Sequence, residues 1–397
     1  MKEAKLKKII LSGGGSGGPV TPLLAVAEEL LKNEDVLAPK LIFVGTYDGP
    51  ERKMVASFNK RLATEKLAVE NGATSNSSDY LEFIPILSGK WRRYFSLFNF
   101  LDIFKIIVAY FQSLFLLASE RPDLIISAGG FVSVPLVWAA AGTKTKVLIH
   151  QQDVRPGLAN RLMAPVARVI SVTFEKSLLD YGQRAVWLGN PTIDLSRRDF
   201  VESVAEIKNK YYIDTSRPLV LFIGGAGGSL FINNLVRATA PELVKFCRVI
   251  HLTGHERLAV DISERTAGSE ITDGRSAYVV KEFVSNDELL ALMAAADLVV
   301  SRAGLSALTE LSALNKSAIL IPMPGSHQED NAAVFAKAQA AIVWKQNELS
   351  AEKLGPELKR ILADADWRIK SSNNISKIIK RGAAQSMAGI VWEILGE

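Results

Sequence analysis

Two glycine clusters stand at corresponding places in the two halves of the chain. Gly13, Gly14, Gly15, Gly17 and Gly18 follow the apolar run KKIILS, and Gly224, Gly225, Gly227 and Gly228 follow PLVLFI. Glycines let backbone approach a ligand closely, and N–H groups at the start of a following helix favour an anion. Phosphate binding is the chemistry that such loops suit. Gly13, Gly15 and Gly18 also fit G-x-G-x-x-G, with Thr21 and Pro22 placed as N-cap and first-turn residues of the next helix. A dinucleotide site needs, in addition, an acidic residue just after the second strand. Here Leu41 to Val44 is followed by Gly45, Thr46 and Tyr47, which argues against NAD.

A third element sharpens the reading. In SRAGLSALTE, residues 301–310, Gly304, Leu305 and Ser306 can open a helix towards a diphosphate, and Glu310 farther along can accept both hydroxyls of a ribose. Three such elements suit a sugar nucleotide better than a bare phosphate. Serine hydrolase chemistry is disfavoured because no G-x-S-x-G elbow stands at a strand end. With four histidines and no His/Asp cluster at metal-ligand spacing, the expectation is that no essential metal and no organic cofactor take part.

These loops need a scaffold that presents them. Short apolar runs recur between amphipathic stretches: KKIILSGGG, KLIFVGT, DLIISAGG, KVLIHQQ and RVISVT, then PLVLFIGG, RVIHLTG, DLVVSRAG and SAILIPMPG. Such alternation predicts βαβ units and parallel sheets, hence an α/β fold. Leu124 to Thr143 is charge-free and long enough to span a bilayer, yet Gly129, Gly130 and Pro135 interrupt it. Strand, glycine turn and helix is the better reading. The two series of strands part near Gly189-Asn190-Pro191, giving a domain over residues 1–190 and a second over 191–372. Each resembles a Rossmann-type domain, with a cleft between them as the natural ligand site. The apolar helical spacing of Ala383 to Leu395 predicts, within residues 373–397, a C-terminal helix that crosses back to the first domain.

Composition sets the bounds. At 397 residues, with 48% hydrophobic and 22% charged, the chain can bury two cores and is not disordered. One cysteine, Cys247, excludes an internal disulfide and cysteine-rich zinc sites, and the apolar run near the start is too short for a signal segment. A cytosolic setting is expected. The balance of 47 Lys+Arg against 42 Asp+Glu fits an acidic surface or a phosphate ligand without implying nucleic acid.

Residues 91–115 carry nine aromatics, Trp91, Tyr94, Phe95, Phe98, Phe100, Phe104, Tyr110, Phe111 and Phe115 among them, together with Arg92, Arg93 and Lys105. Aromatic rings flanked by basic residues suit a lipid interface. Trp91 to Phe100 is therefore expected to rest on the membrane, and Phe104 to Leu117 to be a buried helix of the first domain.

Read together, GGGSGGPVTPLLAVAEEL, VGTYDGPE, SAGGFVSVPLVWAA, HQQDVRPGLANRLMAPVA, LGNP, FIGGAGGSLFINN, ADLVVSRAGLSALTEL and PMPGSHQEDNA resemble, in order, the MurG family of glycosyltransferases. That resemblance implies a GT-B fold of two Rossmann-like domains. It also implies an inverting transfer of N-acetylglucosamine from UDP-N-acetylglucosamine to the undecaprenyl-pyrophosphoryl-muramoyl-pentapeptide of peptidoglycan synthesis. A peripheral location on the cytoplasmic face of the cell membrane, held by its anionic surface, follows from the lipid-linked acceptor. The resemblance places Gly13 and Gly14 at the acceptor, and the aromatic and basic pattern places Trp91, Arg92, Arg93, Phe95 and Phe98 at the membrane. It places Ser16, Gly17, Gly18, Ala226, Gly227, Val284, Leu305, Ser306, Glu310, Gln328 and Asn331 at the donor, with Val284 on uracil and Gln328 and Asn331 on the sugar. A related transferase with another lipid acceptor, and a relative that binds without transferring, remain as alternatives.

Several positions depart from the family pattern. Pro19 stands where the family has histidine, Gln151 and Asp153 where it has glutamate and asparagine, and Ala226 and Gly227 where it has serine and glutamine. Asp153 is the new ionisable group at the end of a strand on the acceptor side. It is the expected general base and a donor contact, with His150 as the second candidate.

Overall fold

The structure, a computed structural model, describes residues 6–15, 17–32, 37–69, 80–89, 98–192, 198–214, 216–225, 227–254 and 276–396. Ser16, Trp91, Arg92, Arg93, Phe95 and Ala226 lie outside the described residues, and of Phe98 only the backbone is described. The chain forms two compact units, Met1–Ile193 with Lys380–Glu397, and Asp194–Ile379.

The first unit is built on β1 (Lys8–Ser12), β2 (Lys40–Gly45), β3 (Glu82–Pro85), β4 (Leu124–Ser127), β5 (Lys146–Gln151), β6 (Val169–Val172) and β7 (Ala185–Trp187). They form one parallel sheet in the order β3-β2-β1-β4-β5-β6-β7. Successive side chains of a strand face opposite sides. Ile9 and Leu11 accordingly join one core with Leu23, Val26 and Leu30 of α1 (Val20–Lys32), while Ile10 joins the other with Leu136 of α4 (Ser133–Ala140) and Met163 of α5 (Leu158–Met163). Both faces are covered, which is why the strands are continuous apolar runs. α2 (Pro50–Val69) and α3 (Phe98–Glu120) complete the unit's helices before the chain leaves it.

The chain begins α1 at Val20, one residue before the expected N-cap, so Thr21 falls inside the first turn and its hydroxyl donates to the Gly17 carbonyl at 3.3 Å. After Lys380 the chain returns to the first unit as a C-terminal helix, Ala383–Gly396. Its Met387, Val391 and Leu395 enter the core beside α1, and the Lys7 ammonium donates to the Leu395 carbonyl at 3.1 Å. Full burial of side chains of this size contributes about 1.5–3 kcal/mol each.

The second unit opens with α6 (Arg198–Lys210) and carries β8 (Leu219–Ile223), β9 (Arg248–Leu252), β10 (Tyr278–Lys281), β11 (Leu298–Ser301), β12 (Ala318–Leu320) and β13 (Ala341–Val343). The parallel order is β10-β9-β8-β11-β12-β13. Val220 and Phe222 pack with Ile232 and Val236 of α7 (Leu230–Leu243) and with Leu354, Leu358 and Ile361 from a later helix. Among the described residues the remaining α-helices are, in chain order, α8 (Asn286–Ala295), α9 (Leu305–Leu314), α10 (His327–Lys337), α11 (Ala351–Ala363), α12 (Ala365–Ile375) and the C-terminal α13.

Strand order reverses beside the first strand of each sheet, between β1 and β4 in one and between β8 and β11 in the other. Ligands of open α/β sheets bind at the carboxyl ends of the strands where order reverses. The two glycine clusters leave β1 and β8 at these places.

Candidate functional site

In the first unit the glycine loop has almost no side chains with which to hold itself, and its neighbours impose its path. Gly14 is clamped by the loop after β4: a Cβ on Gly130, which has φ +95°, would lie 2.7 Å from the Gly14 carbonyl oxygen. Beneath the loop the Ser12 and Ser133 hydroxyls are 3.0 Å apart, and Ser133 also donates to the Gly129 carbonyl at 3.1 Å. From the loop after β5, Gln152 donates through Nε2 to the Gly18 carbonyl at 2.9 Å. Gly18 is thus tied to the segment that carries Asp153, which remains partly exposed.

The same segment explains Gln151. Its Nε2 donates to the carbonyls of Asp153 at 2.7 Å and Arg155 at 3.1 Å, and its Oε1 accepts from Asn160 Nδ2 at 2.7 Å and the Tyr181 hydroxyl at 3.0 Å. A carboxylate has no hydrogen for those two carbonyls, so an amide is the side chain that fits. Burial also raises the Tyr181 phenol well above its ordinary value, which keeps it a donor.

His150 does not fit the role of second candidate for the base. Its ring is fully buried, with Nδ1 2.9 Å from the Ser171 hydroxyl and Nε2 3.0 Å from Asn190 Oδ1. Burial pulls its pKa down to about 4, so the ring is neutral at pH 7. Both nitrogens are committed inside the sheet, and the imidazole serves as a pin between β5, β6 and the segment after β7.

The second unit repeats the plan with different chemistry. Ser229 caps α7, its hydroxyl accepting from the Ile232 N–H at 3.3 Å, and Arg302 at the end of β11 donates through Nη2 to the same hydroxyl at 2.7 Å. Arg302 Nη1 donates to the Ile321 and Pro322 carbonyls at 3.0 and 3.2 Å, tying together the loops after β8, β11 and β12. Gly228 has φ +71° and is so close to Gly254, itself at φ +81°, that a side chain on either would collide with backbone. Open space surrounds the α-carbon of Gly227.

Gly304 stands at the N-cap of α9 without a side-chain cap, so the first N–H groups of that helix, at Leu305 and Ser306, present their dipole to the loop region. Glu310 lies on the same helix, partly buried. Burial pushes its pKa up to about 7, and no cation among the described residues offsets the shift. Asn331, fully buried on α10, reaches the Ala303 carbonyl at 3.5 Å, and Gln328 Oε1 accepts from the Met323 N–H at 3.0 Å. The segments RAGLSALTE and HQEDNA therefore meet. Val284 follows β10, two residues after Glu282, whose carbonyl accepts from the Gly254 N–H at 2.8 Å.

The expected burial of Phe104 to Leu117 holds for one side of α3 only. Ala109, Ser113, Leu116 and Leu117 are buried, whereas Phe104, Phe111 and Phe115 are 69, 62 and 77% exposed, with Ile107 and Val108 beside them. Positions 104, 107, 108, 111 and 115 share one helix face, so the helix is apolar on two sides. Among the described residues no helix is long and apolar enough to cross a membrane.

Sequence reasoning missed Arg302, Gln152 and Glu51, the last lying against Gly14. All three stand inside segments singled out for their motifs, but nothing in residue type or spacing marks them as supports of a loop.

Known proteins match most of the chain. The glycosyltransferase family 28 N-terminal domain matches residues 9–172, and the C-terminal domain of the same family matches residues 219–386. A curated relative from Clostridium botulinum (strain 657 / Type Ba4) is 36% identical over 379 residues, covering 94% of this chain and 95% of its own. It is named UDP-N-acetylglucosamine--N-acetylmuramyl-(pentapeptide) pyrophosphoryl-undecaprenol N-acetylglucosamine transferase. A protein of the same name from Clostridium kluyveri is 36% identical over 362 residues, covering 90% of this chain and 91% of its own. Among solved structures, Acinetobacter baumannii MurG superposes with a TM-score of 0.67 at 18% identity, covering 98% of this chain and all of its own. The UDP-GlcNAc 2-epimerase of Neisseria meningitidis, solved with UDP-GlcNAc, gives 0.60 at 13% identity, again over 98% of this chain and all of its own.

Proposed function

The chain belongs to the MurG-type transferases of glycosyltransferase family 28, and from that premise we propose how its two units divide the work. The protein is a UDP-N-acetylglucosamine transferase of the GT-B fold that moves N-acetylglucosamine to the lipid-linked muramoyl-pentapeptide of peptidoglycan synthesis. The observation that carries this reading is similarity to the transferase of that name along 94% of the chain, with both domains of glycosyltransferase family 28 matched.

The second unit takes the donor. Leu305 and Ser306 at the uncapped start of α9 face the diphosphate, aided by Ala226 and Gly227. Glu310 accepts the ribose hydroxyls, Val284 lies against uracil, and Gln328 and Asn331 hold the sugar. The uncompensated Glu310 carboxyl supports this, since two hydroxyl donors would offset its burial.

The first unit takes the acceptor at Gly13 and Gly14, with Ser16, Gly17 and Gly18 towards the donor sugar. Asp153 removes the proton from the acceptor hydroxyl as its oxygen bonds to the anomeric carbon of N-acetylglucosamine. The bond to UDP breaks with inversion, giving a β-1,4 link. Backbone N–H groups at the helix starts stabilise the charge that gathers on the departing diphosphate.

The exposed face of α3, with Arg92 and Arg93 before it in sequence, rests on the anionic cytoplasmic face of the cell membrane. Interfacial rather than spanning contact fits a helix with one apolar face turned outwards. Supplying radiolabelled UDP-N-acetylglucosamine with the muramoyl lipid and extracting the lipid phase tests the reading. Label should enter the lipid in step with UDP release, and label confined to water with no UDP release would refute it.

A further inference from the structure

Glu51, in the first turn of α2, is fully buried, and its side chain is walled by three glycines, Gly14 of the loop after β1, Gly45 at the end of β2 and Gly49 of the connection between β2 and α2. A Cβ on Gly14 would lie 2.6 Å from Oε1, one on Gly45 would lie 2.6 Å from Cγ, and one on Gly49 would collide with the carboxylate outright. Oε1 accepts from the Thr46 N–H at 2.7 Å and the Thr46 hydroxyl at 2.5 Å. Oε2 is buried and has no hydrogen-bond partner, and no cation among the described residues pairs with it. A buried carboxylate ordinarily has all its acceptor sites filled, because leaving one empty costs free energy.

Its position gives the open oxygen a purpose. Gly14 is held between this carboxylate on one side and Gly130 on the other, so Glu51 lies against a loop built almost wholly of glycine. The remaining supports of that loop, Ser12 with Ser133 and Gln152, are neutral and have partners. Of these supports, Glu51 alone brings a buried oxygen that has no hydrogen-bond partner. We propose that Glu51 is a positioning residue for sugar transfer: Oε1 anchors it to Thr46, and Oε2 accepts N–H groups of the first glycine loop once the acceptor occupies Gly13 and Gly14. The proposal rests on the functional reading above, in which that loop takes the acceptor. Glu51 touches neither sugar, so its effect reaches the chemistry through the loop.

Glu51→Gln keeps the volume and the Thr46 bonds while replacing the accepting oxygen by a donor. Steady-state kinetics with the muramoyl lipid, beside calorimetry with UDP and a thermal melt, should show kcat lowered on the order of 10–100-fold, the loss that a small misplacement of reacting groups produces. UDP affinity, a property of the second unit, should stay within about twofold, and the melting temperature should be unchanged or higher. Thr46→Val removes one anchor at nearly constant volume and should lower kcat in the same direction but less. If Glu51→Gln does not fold, Thr46→Val decides. A variant with parent-like kcat, whether Glu51→Gln or in its place Thr46→Val, overturns the proposal, because a mere space-filler would tolerate the change. A parent protein that transfers no sugar would instead overturn the functional reading itself.

Discussion

Gln152 donates from Nε2 to the carbonyl of Gly18 at 2.9 Å, so the segment after β5 and the glycine loop after β1 are one assembly at the place where strand order reverses. Asp153 is the next residue and inherits that placement. Asp153→Asn, which restores the family's side chain, should lower turnover about 10²–10⁴-fold if Asp153 is the base. Gln152→Ala should lower it less and raise the KM for the lipid, since it frees the segment without removing the carboxylate. Rates measured across pH check both, and an Asp153→Asn protein with parent turnover throughout would remove Asp153 from the chemistry.

Glu310 should make donor binding depend on pH. Its pKa is raised to about 7 by burial, so it is largely protonated below that pH and accepts poorly. UDP affinity should fall as pH drops from about 8 to 6, and Glu310→Ala should weaken UDP by about 1.5–3 kcal/mol. The sign for stability is opposite. A carboxyl with a raised folded pKa destabilises the ligand-free protein as pH rises from its unfolded value, near 4.5, through about 7. Glu310→Gln should therefore flatten both the binding and the melting profiles, as calorimetry over that range would show.

Gln151 is predicted to be required as an amide. Gln151→Glu leaves the Asp153 and Arg155 carbonyls without their donor and sets a buried charge near them. A cost of about 1–3 kcal/mol for each stranded group is expected, read as a lower melting temperature at pH 7 with partial recovery at acid pH, where the new carboxyl is protonated.

The outward face of α3 should govern membrane capture. Phe111→Ser with Phe115→Ser should reduce flotation with anionic liposomes at every salt concentration, because the lost contribution is apolar. Arg92→Glu with Arg93→Glu should reduce it most at low salt, where charge is least screened. UDP affinity should be unchanged in all of them.

How far these features could be read from sequence follows from their physics. Each interior strand of both sheets announces itself as a continuous apolar run because helices cover both faces. The four strands that the sequence reading did not single out, β3, β7, β10 and β13, are the four sheet edges, three or four residues long and partly exposed, so their apolar stretches are too brief to stand out. The glycine clusters were legible as the turns that leave β1 and β8, because runs of glycine directly after apolar stretches mark tight turns at strand ends. Glu51 was not, since its environment exists only when Gly14, Gly45 and Gly49 meet. His150 follows a promising motif, yet strand alternation turns its ring into the unit, towards Ser171 and Asn190. For α3 the run is apolar on two sides, and spacing alone cannot separate a face buried in protein from one offered to lipid.

Transfer to a muramoyl lipid is measured most directly by one competition. The purified protein is given UDP-N-acetylglucosamine together with undecaprenyl-pyrophosphoryl-muramoyl-pentapeptide and an undecaprenyl lipid lacking the muramoyl unit, and both lipids are weighed by mass spectrometry. One added N-acetylhexosamine is expected on the muramoyl lipid, matched by an equal amount of UDP, and none on the other. Hexosamine on the second lipid, or UDP-sugar bound with neither lipid modified, would contradict it.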